Sequence, residues 1–385
     1  MKIRDFACPS CGASLKIEEG KKTLTCPYCE STVIVPDSIS GGDRYASKET
    51  PPTVVPTITV DTSAARRTCS TAAVSMAVFL LGLGAAIFFW IIRSNEVKQA
   101  IDGSLSALAG GSSLPVAMEF GGEGMRAGFF QDAQHICVDQ EGRIFVGEYE
   151  SGKVQIFSSD GSYQGQWDIA KSDAVYLYGM DISRDGKLYL VYDSELYVHD
   201  ASTGVLLGQL QHPDGWGFDD VAVCDDGSVV AAWYCNSDDI LRFHPDGSLD
   251  FVLREAVSTQ GGEWEMDPSV IVDGGGNIFV YGSFNGSFFK FSPNGRFLDR
   301  FGSSGDRPGQ FTSPVGFCTD PMGRVWVSDF GDLLVFGNDG TYLATLDPGR
   351  TLYDICISDD YQLYGITYEE TVVQYDLRET LEDLQ

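Results

Sequence analysis

Histidine is nearly missing from this chain: only His135, His199, His212 and His244 occur in 385 residues. That is too few to build a histidine-rich metal centre. Basic residues run short past residue 102, where 15 Lys and Arg stand against 45 Asp and Glu. A net charge of −30 on one part of a chain repels phosphate backbones, which excludes nucleic acid as its partner. No Ser-His-Asp elbow and no phosphate-cradling glycine loop occurs, because the glycine-rich runs sit in hairpins. Charge is absent altogether from Ala72 to Ile92. Ten cysteines are present, yet their positions show no disulfide framework.

Four of those cysteines form two close pairs near the start. Cys8 and Cys11 make one C-x-x-C, Cys26 and Cys29 the other, with 14 residues between them. Each pair can place two thiolates on one tight turn, and two such turns can surround a tetrahedral Zn²⁺. The intervening stretch is expected to be a hairpin, with Ser14–Glu18 and Thr23–Thr25 extended and 19–22 as the turn. A segment too short for a core needs such a staple. Residues 1–37 resemble the zinc-ribbon family of the CPxCG…CPxCG type, with Glu30 standing where the family has glycine. Four protein ligands leave no open position, so the one Zn²⁺ implied here is structural, and the ribbon is expected to dock a protein partner.

Residues 38–70 carry Pro51, Pro52, Pro56 and Gly41–Gly42 among serines and threonines, and read as a flexible linker. The uncharged stretch that follows is long enough to cross a bilayer as a helix of about 31 Å. A transmembrane α-helix is therefore expected over 71–92, with Trp90 as an interfacial anchor. Residues 93–113 would be a juxtamembrane linker. Arg66 and Arg67 on one side balance Arg93 and Lys98 on the other, so charge does not orient the span. Thiolates survive best in a reducing compartment, which places the ribbon in the cytoplasm and the rest outside it, in the cell membrane with a single pass.

The remainder is repetitive. Six units carry an apolar strand, a short turn and a second strand, with the turn residue at Gly142, Gly186, Gly227, Gly276, Gly323 and Tyr361. A second turn follows at Gly161, Gly204, Gly247, Gly295 and Gly340. Both series count a four-stranded unit of about 40–50 residues, the size of a propeller blade. The fold class is therefore all-β, a six-bladed β-propeller over 114–378 with a tail at 379–385. The last unit lacks its outer strand, while an orphan strand precedes the first. Pairing of Pro115–Phe120 with Val372–Tyr375 is expected to close the ring. The stretch RFGSSGDRPGQFTSPVGFCTDPMGRVWVSDF is similar to the NHL-repeat family, with weaker copies along 114–378. That resemblance implies the fold and leaves the function open, because such propellers bind proteins, RNA and sugars and a few relatives are enzymes.

Strand ends and entry loops of one face gather aromatic and acidic residues. The candidate ligand face comprises Tyr149, Tyr192, Asp193, Trp216, Asp219, Asp220, Trp233, Tyr234, Trp264, Asp267, Asp329, Phe330, Asp354 and Tyr368. Such a surface suits a protein or carbohydrate ligand. The competing reading is blade-to-blade packing at repeat-equivalent positions. Cys137, Cys318 and Cys356 share one repeat position and are expected to be buried free thiols. Of the histidines, only His135 starts an inner strand.

Two functional readings follow. In the first, a membrane-anchored, non-enzymatic binding, sensing or scaffold protein engages its ligand through the propeller while the ribbon docks a partner across the membrane. In the second, a metal-dependent propeller hydrolase or lyase acts outside the cytoplasm.

Overall fold

A computed structural model describes residues 3–7, 14–18, 23–25, 32–34, 112–169, 175–215, 217–233, 238–261, 264–265 and 268–382. The chain divides into two compact units, Met1–Phe79 and Leu80–Gln385.

In the first unit, Ile3–Ala7 pairs antiparallel with Ser14–Glu18, and Thr23–Thr25 pairs with Thr32–Ile34. The expected segments are extended, but their partners differ from the expectation. Each C-x-x-C lies in the short connection between paired strands, so each pair has its own hairpin rather than the two sharing one. The cysteines themselves lie outside the described residues. So does the expected span at 71–92; among the described residues no helix is long and apolar enough to cross a membrane.

The second unit is a six-bladed β-propeller. Each of its six sheets has four antiparallel blade strands, and in five of them these strands follow chain order from the channel outward. The inner strands are Ala133–Val138, Leu177–Ile182, Asp220–Val223, Pro268–Val272, Pro314–Thr319 and Leu352–Ile357. The second strand of every blade is buried almost throughout, because neighbouring blades cover both its faces. That explains why several of these strands read as unbroken apolar runs, such as VVAAW and IFVYG. Outer strands such as Tyr163–Asp168 and Leu249–Leu253 meet water, with nearly all their residues exposed or half-buried.

Each inner hairpin turns through a residue at positive φ whose amide donates to the carbonyl three residues back. Gly142 to Asp139 and Gly323 to Asp320 are two examples. The sixth blade makes the same turn with Tyr361 at φ 63°, donating to Ser358.

Closure follows the expected route. Val116–Gly121 supplies the outer strand of the sixth blade, with Val372 opposite Phe120 and Tyr375 opposite Val116. Phe120 then meets Phe157 of the first blade at 4.7 Å between ring centroids. Ser112–Ser113 adds a short parallel strand outside the fifth blade, so the paired chain starts two residues before the expected boundary. A short helix, Arg378–Glu382, follows the last strand.

Candidate functional site

The inner strands surround a channel of about 1290 Å³. Inner strands have no neighbour on their channel side, so some of their amides point at the lumen unpaired. Three aspartates satisfy six of them. Asp181 accepts from Ile182 and, in the next blade, Val223, at 2.8 and 2.7 Å. Asp220 accepts from Val221 and from Val270, both at 2.8 Å. Asp354 accepts from Ile355 at 2.9 Å and from Ile136, across the closing seam, at 3.0 Å. Each carboxylate thus fastens one blade to the next.

Burial pushes all three carboxyls up, Asp181 to about 6, Asp354 to about 7 and Asp220 to about 8. The amides they accept pull the other way, and mutual repulsion adds to the rise at Asp220 and Asp354. Room for Asp220 and Asp354 is made by glycine: a Cβ on Gly179 would lie 3.1 Å from the Asp220 Cα, and one on Gly316 3.0 Å from the Asp354 Cα.

His135 shares the repeat position of Asp220 and Asp354. Its Nε2 donates to the Leu177 carbonyl at 2.7 Å, and burial lowers its pKa to about 4. It is therefore neutral near pH 7, with Nδ1 as an acceptor. Cys137, Cys318 and Cys356 line the same channel as free thiols. Burial raises all three, which keeps them protonated and unreactive.

The two ends of the channel differ. At the inner-hairpin end, Arg184 of the second blade bonds Asp225 of the third at 2.9 Å and Asp359 of the sixth at 3.1 Å. The guanidinium thereby reaches across the floor. At the opposite end stands a ring of aromatics. Tyr149 meets Tyr176 and Tyr178 at 5.4 and 5.7 Å, and Tyr353 meets Tyr368 at 5.5 Å. Trp264 meets Phe284 at 6.0 Å. The Tyr353 hydroxyl donates to Gln134, whose amide donates to Asp132.

The candidate ligand face divides into three groups. Tyr149, Trp264 and Tyr368 lie in the mouth, and Asp219, Asp220 and Asp354 line the channel. Asp220 and Asp354 stand within inner strands rather than in entry loops. Tyr192, Trp233 and Asp329 are buried instead. Tyr192 stacks on Tyr197 at 4.2 Å, Trp233 packs on His212, and Asp329 accepts the amides of Thr312 and Ser313. Asp193 and Phe330 are exposed residues of hairpin turns at φ 53° and 42°. Trp216, Tyr234 and Asp267 lie outside the described residues.

Sequence reasoning missed Tyr176, Tyr178, Phe284 and Tyr353 in the mouth and Asp181 and Arg184 in the channel. The signal for Asp181 was available, since it occupies the repeat position of the three channel cysteines. Among the described residues, no three His, Cys, Asp or Glu side chains converge to hold a metal ion. Of the acidic channel groups, Asp181, Asp220 and Asp354 are each committed to two backbone amides, and Asp225 and Asp359 to Arg184.

No family model matches the chain, and no curated protein matches it in sequence. Solved structures do match in fold. A chain provisionally named a gluconolactonase superposes with a TM-score of 0.52 at 15% identity, covering 68% of this chain and 94% of that one. A gluconolactonase from Xanthomonas campestris gives 0.48 at 16%, covering 64% and 87%. A protein of unknown function from Bacteroides caccae gives 0.46 at 16%, covering 59% and 83%. The first of these likenesses shows the propeller fold. It also overturns the expectation that the propeller is not an enzyme, since a fold shared with a chain named a gluconolactonase gives no ground for setting catalysis aside.

Proposed function

We propose that the propeller is a hydrolase of small esters or lactones, with its reaction centre at the aromatic mouth of the channel. The observation that carries this reading is Asp354: a carboxyl facing the channel whose pKa is pushed to about 7 by burial. A general base works best when its pKa lies near the working pH. The fold shared with a provisionally named gluconolactonase supports the same reaction class.

Asp354 would take a proton from water as the water oxygen bonds to the ester carbonyl carbon. Tyr149 can donate a hydrogen bond to the oxyanion that forms, while the Tyr353 hydroxyl stays donated to Gln134. Burial holds the Tyr149 phenol up at about 12, so it stays protonated and able to donate. When the carbonyl re-forms, the ring C–O bond breaks and Asp354 returns its proton to the departing alkoxide. His135, neutral and fixed to Leu177, would orient the water through Nδ1. No step is assigned to a metal, because the described residues supply no ligand set.

The N-terminal unit is assigned a separate role. Two hairpins, each with a C-x-x-C in its connection, suit a ribbon in which Cys8, Cys11, Cys26 and Cys29 hold one structural Zn²⁺. With the span at 71–92, this reading anchors the hydrolase to the cell membrane, with the ribbon in the cytoplasm.

The test is a pH-stat assay of the full chain in detergent on a panel of γ- and δ-lactones. The expected kcat/KM rises with pH around a midpoint near 7, and Asp354→Asn lowers kcat by about 100-fold or more. Hydrolysis no faster than in buffer across the panel, or an unchanged rate in Asp354→Asn, would overturn the assignment.

A further inference from the structure

The mouth is a set of aromatic faces, and among the described residues nothing cationic lies on them. Elsewhere in the propeller arginine and lysine cover such faces: Arg126 lies 3.7 Å from the Phe129 centroid, and Arg300 lies 4.9 Å from that of Phe289. Among the described residues, no such cation sits on Tyr149, Tyr176, Tyr178, Tyr353 or Tyr368. Tyr176 and Tyr178 are each 43% exposed, Tyr368 50% and Trp264 53%, so these faces are open to a ligand. An uncovered aromatic face attracts a cation through its quadrupole.

The lumen beneath is one-sided in charge. Its described lining includes eight aspartates and no lysine. The one arginine among the described lining, Arg184, is engaged by Asp225 and Asp359 at the far end. Nothing cationic among the described lining therefore competes with a ligand near Asp220 and Asp354.

We infer that the site selects substrates bearing a substituted ammonium group, which rests against the mouth tyrosines above Asp220 and Asp354. For catalysis this rests on the hydrolase reading and narrows it to amine-bearing esters or lactones. For binding it stands alone. A neutral sugar ring would use the aromatic faces and leave the carboxylates without a counter-charge. An anionic substrate would be repelled by them.

Binding is coupled to protons. Around Asp220 and Asp354 the lumen presents Asp181, Asp219, neutral His135 and the protonated thiols, with the mouth tyrosines above and four further aspartates and Arg184 toward the floor. Without a cation, burial and mutual repulsion keep part of the carboxyls protonated near pH 7. An arriving ammonium favours their charged form, so protons leave as it enters. Affinity for the cation must then rise with pH between about 6 and 8.

The experiment is calorimetric titration of the full chain in detergent with choline and with its neutral isostere 3,3-dimethyl-1-butanol. Ionic strength is held constant with KCl, and buffers of different ionisation enthalpy are used at pH 6 and 8. Choline is expected to bind about tenfold more tightly than the isostere, the difference a cation–π contact of 1–2 kcal/mol supplies. It is also expected to bind more tightly at pH 8 than at pH 6 and to release protons. Tyr149→Leu should remove most of the preference; if that variant misfolds, Tyr368→Leu at the exposed rim replaces it. Equal affinity for the two compounds, or no choline binding, would sink the inference. Selective choline binding without hydrolysis of any ester would instead remove the hydrolase reading and leave this one standing.

Discussion

The Asp354 carboxylate accepts the Ile136 amide at 3.0 Å, across the seam where the sixth blade meets the first. Its other oxygen accepts the Ile355 amide, one residue along its own strand. Asp181 and Asp220 do the same for the second and third junctions. The residues that give the channel its chemistry are thus also the ones that fasten blades together. A change at any of them acts on stability and on the site at once, so controls must separate the two.

One such control is steric. Gly316 gives the neighbouring inner strand room: an added Cβ would lie 3.0 Å from the Asp354 Cα and 3.2 Å from the Tyr353 carbonyl oxygen, both backbone atoms. Gly316→Ala should destabilise the propeller by about 1–3 kcal/mol, the range of core overpacking. Gly165→Ala, in the outer strand of the first blade, meets nothing within 4 Å and should be near neutral. Urea denaturation of both variants tests the contrast, and equal stabilities would show that the junction of the fifth and sixth blades yields without cost.

Ring closure gives a second test. Val116–Gly121 is the outer strand of the last blade, with Phe120 seated on Phe157 of the first. A chain beginning at residue 122 keeps every other blade strand but leaves Thr371–Asp376 as an open edge. It should lose cooperative thermal unfolding by circular dichroism and be cut rapidly by protease. A truncated chain that melts like the full one would mean that closure contributes little.

The blade count and this closure were both legible in the sequence, because the glycines recur at fixed strand positions and the outer strand was visibly displaced. The site was far less legible. Second strands are covered on both faces, so Tyr192 and Trp233 read like mouth aromatics although they are packed between blades. Asp354 looked like a loop residue because nothing in a sequence marks which inner-strand amides lack partners. The strand pairing of the N-terminal unit was missed for a different reason. The chain reverses between Ala7 and Ser14 and again between Thr25 and Thr32, so the strands flanking each C-x-x-C meet one another first.

The turn at Tyr361 isolates a backbone term. Five blades use glycine there at positive φ, and the sixth uses Tyr361 at φ 63°. Tyr361 also packs against the fifth–sixth blade core, so its replacement mixes two effects. Comparing Tyr361→Ala with Tyr361→Gly removes the packing from both. The glycine variant should be the more stable by about 1 kcal/mol, the cost of a left-handed conformation for a residue with a Cβ. Equal stabilities would mean that the turn relaxes out of that conformation in the alanine variant.

The buried carboxyls set the pH dependence of stability, and its sign can be worked out. Asp354 and Asp220 titrate at about 7 and about 8 in the folded chain. In the unfolded chain an aspartate titrates near 4. Between these values the folded state binds more protons than the unfolded one, so stability falls as pH rises. His135 works in the opposite direction but only below about 6.5, because its folded pKa is lowered to about 4. From pH 6.5 to 8.5 the carboxyls therefore act without it, and Tm should decline steadily. Repulsion among the many surface carboxylates stays nearly constant there, since exposed groups are already ionised. Asp220→Asn removes the group with the higher pKa and should flatten the upper half of the decline, even if its absolute Tm is lower. A variant whose Tm falls as steeply as that of the parent would place the titrating groups elsewhere in the propeller.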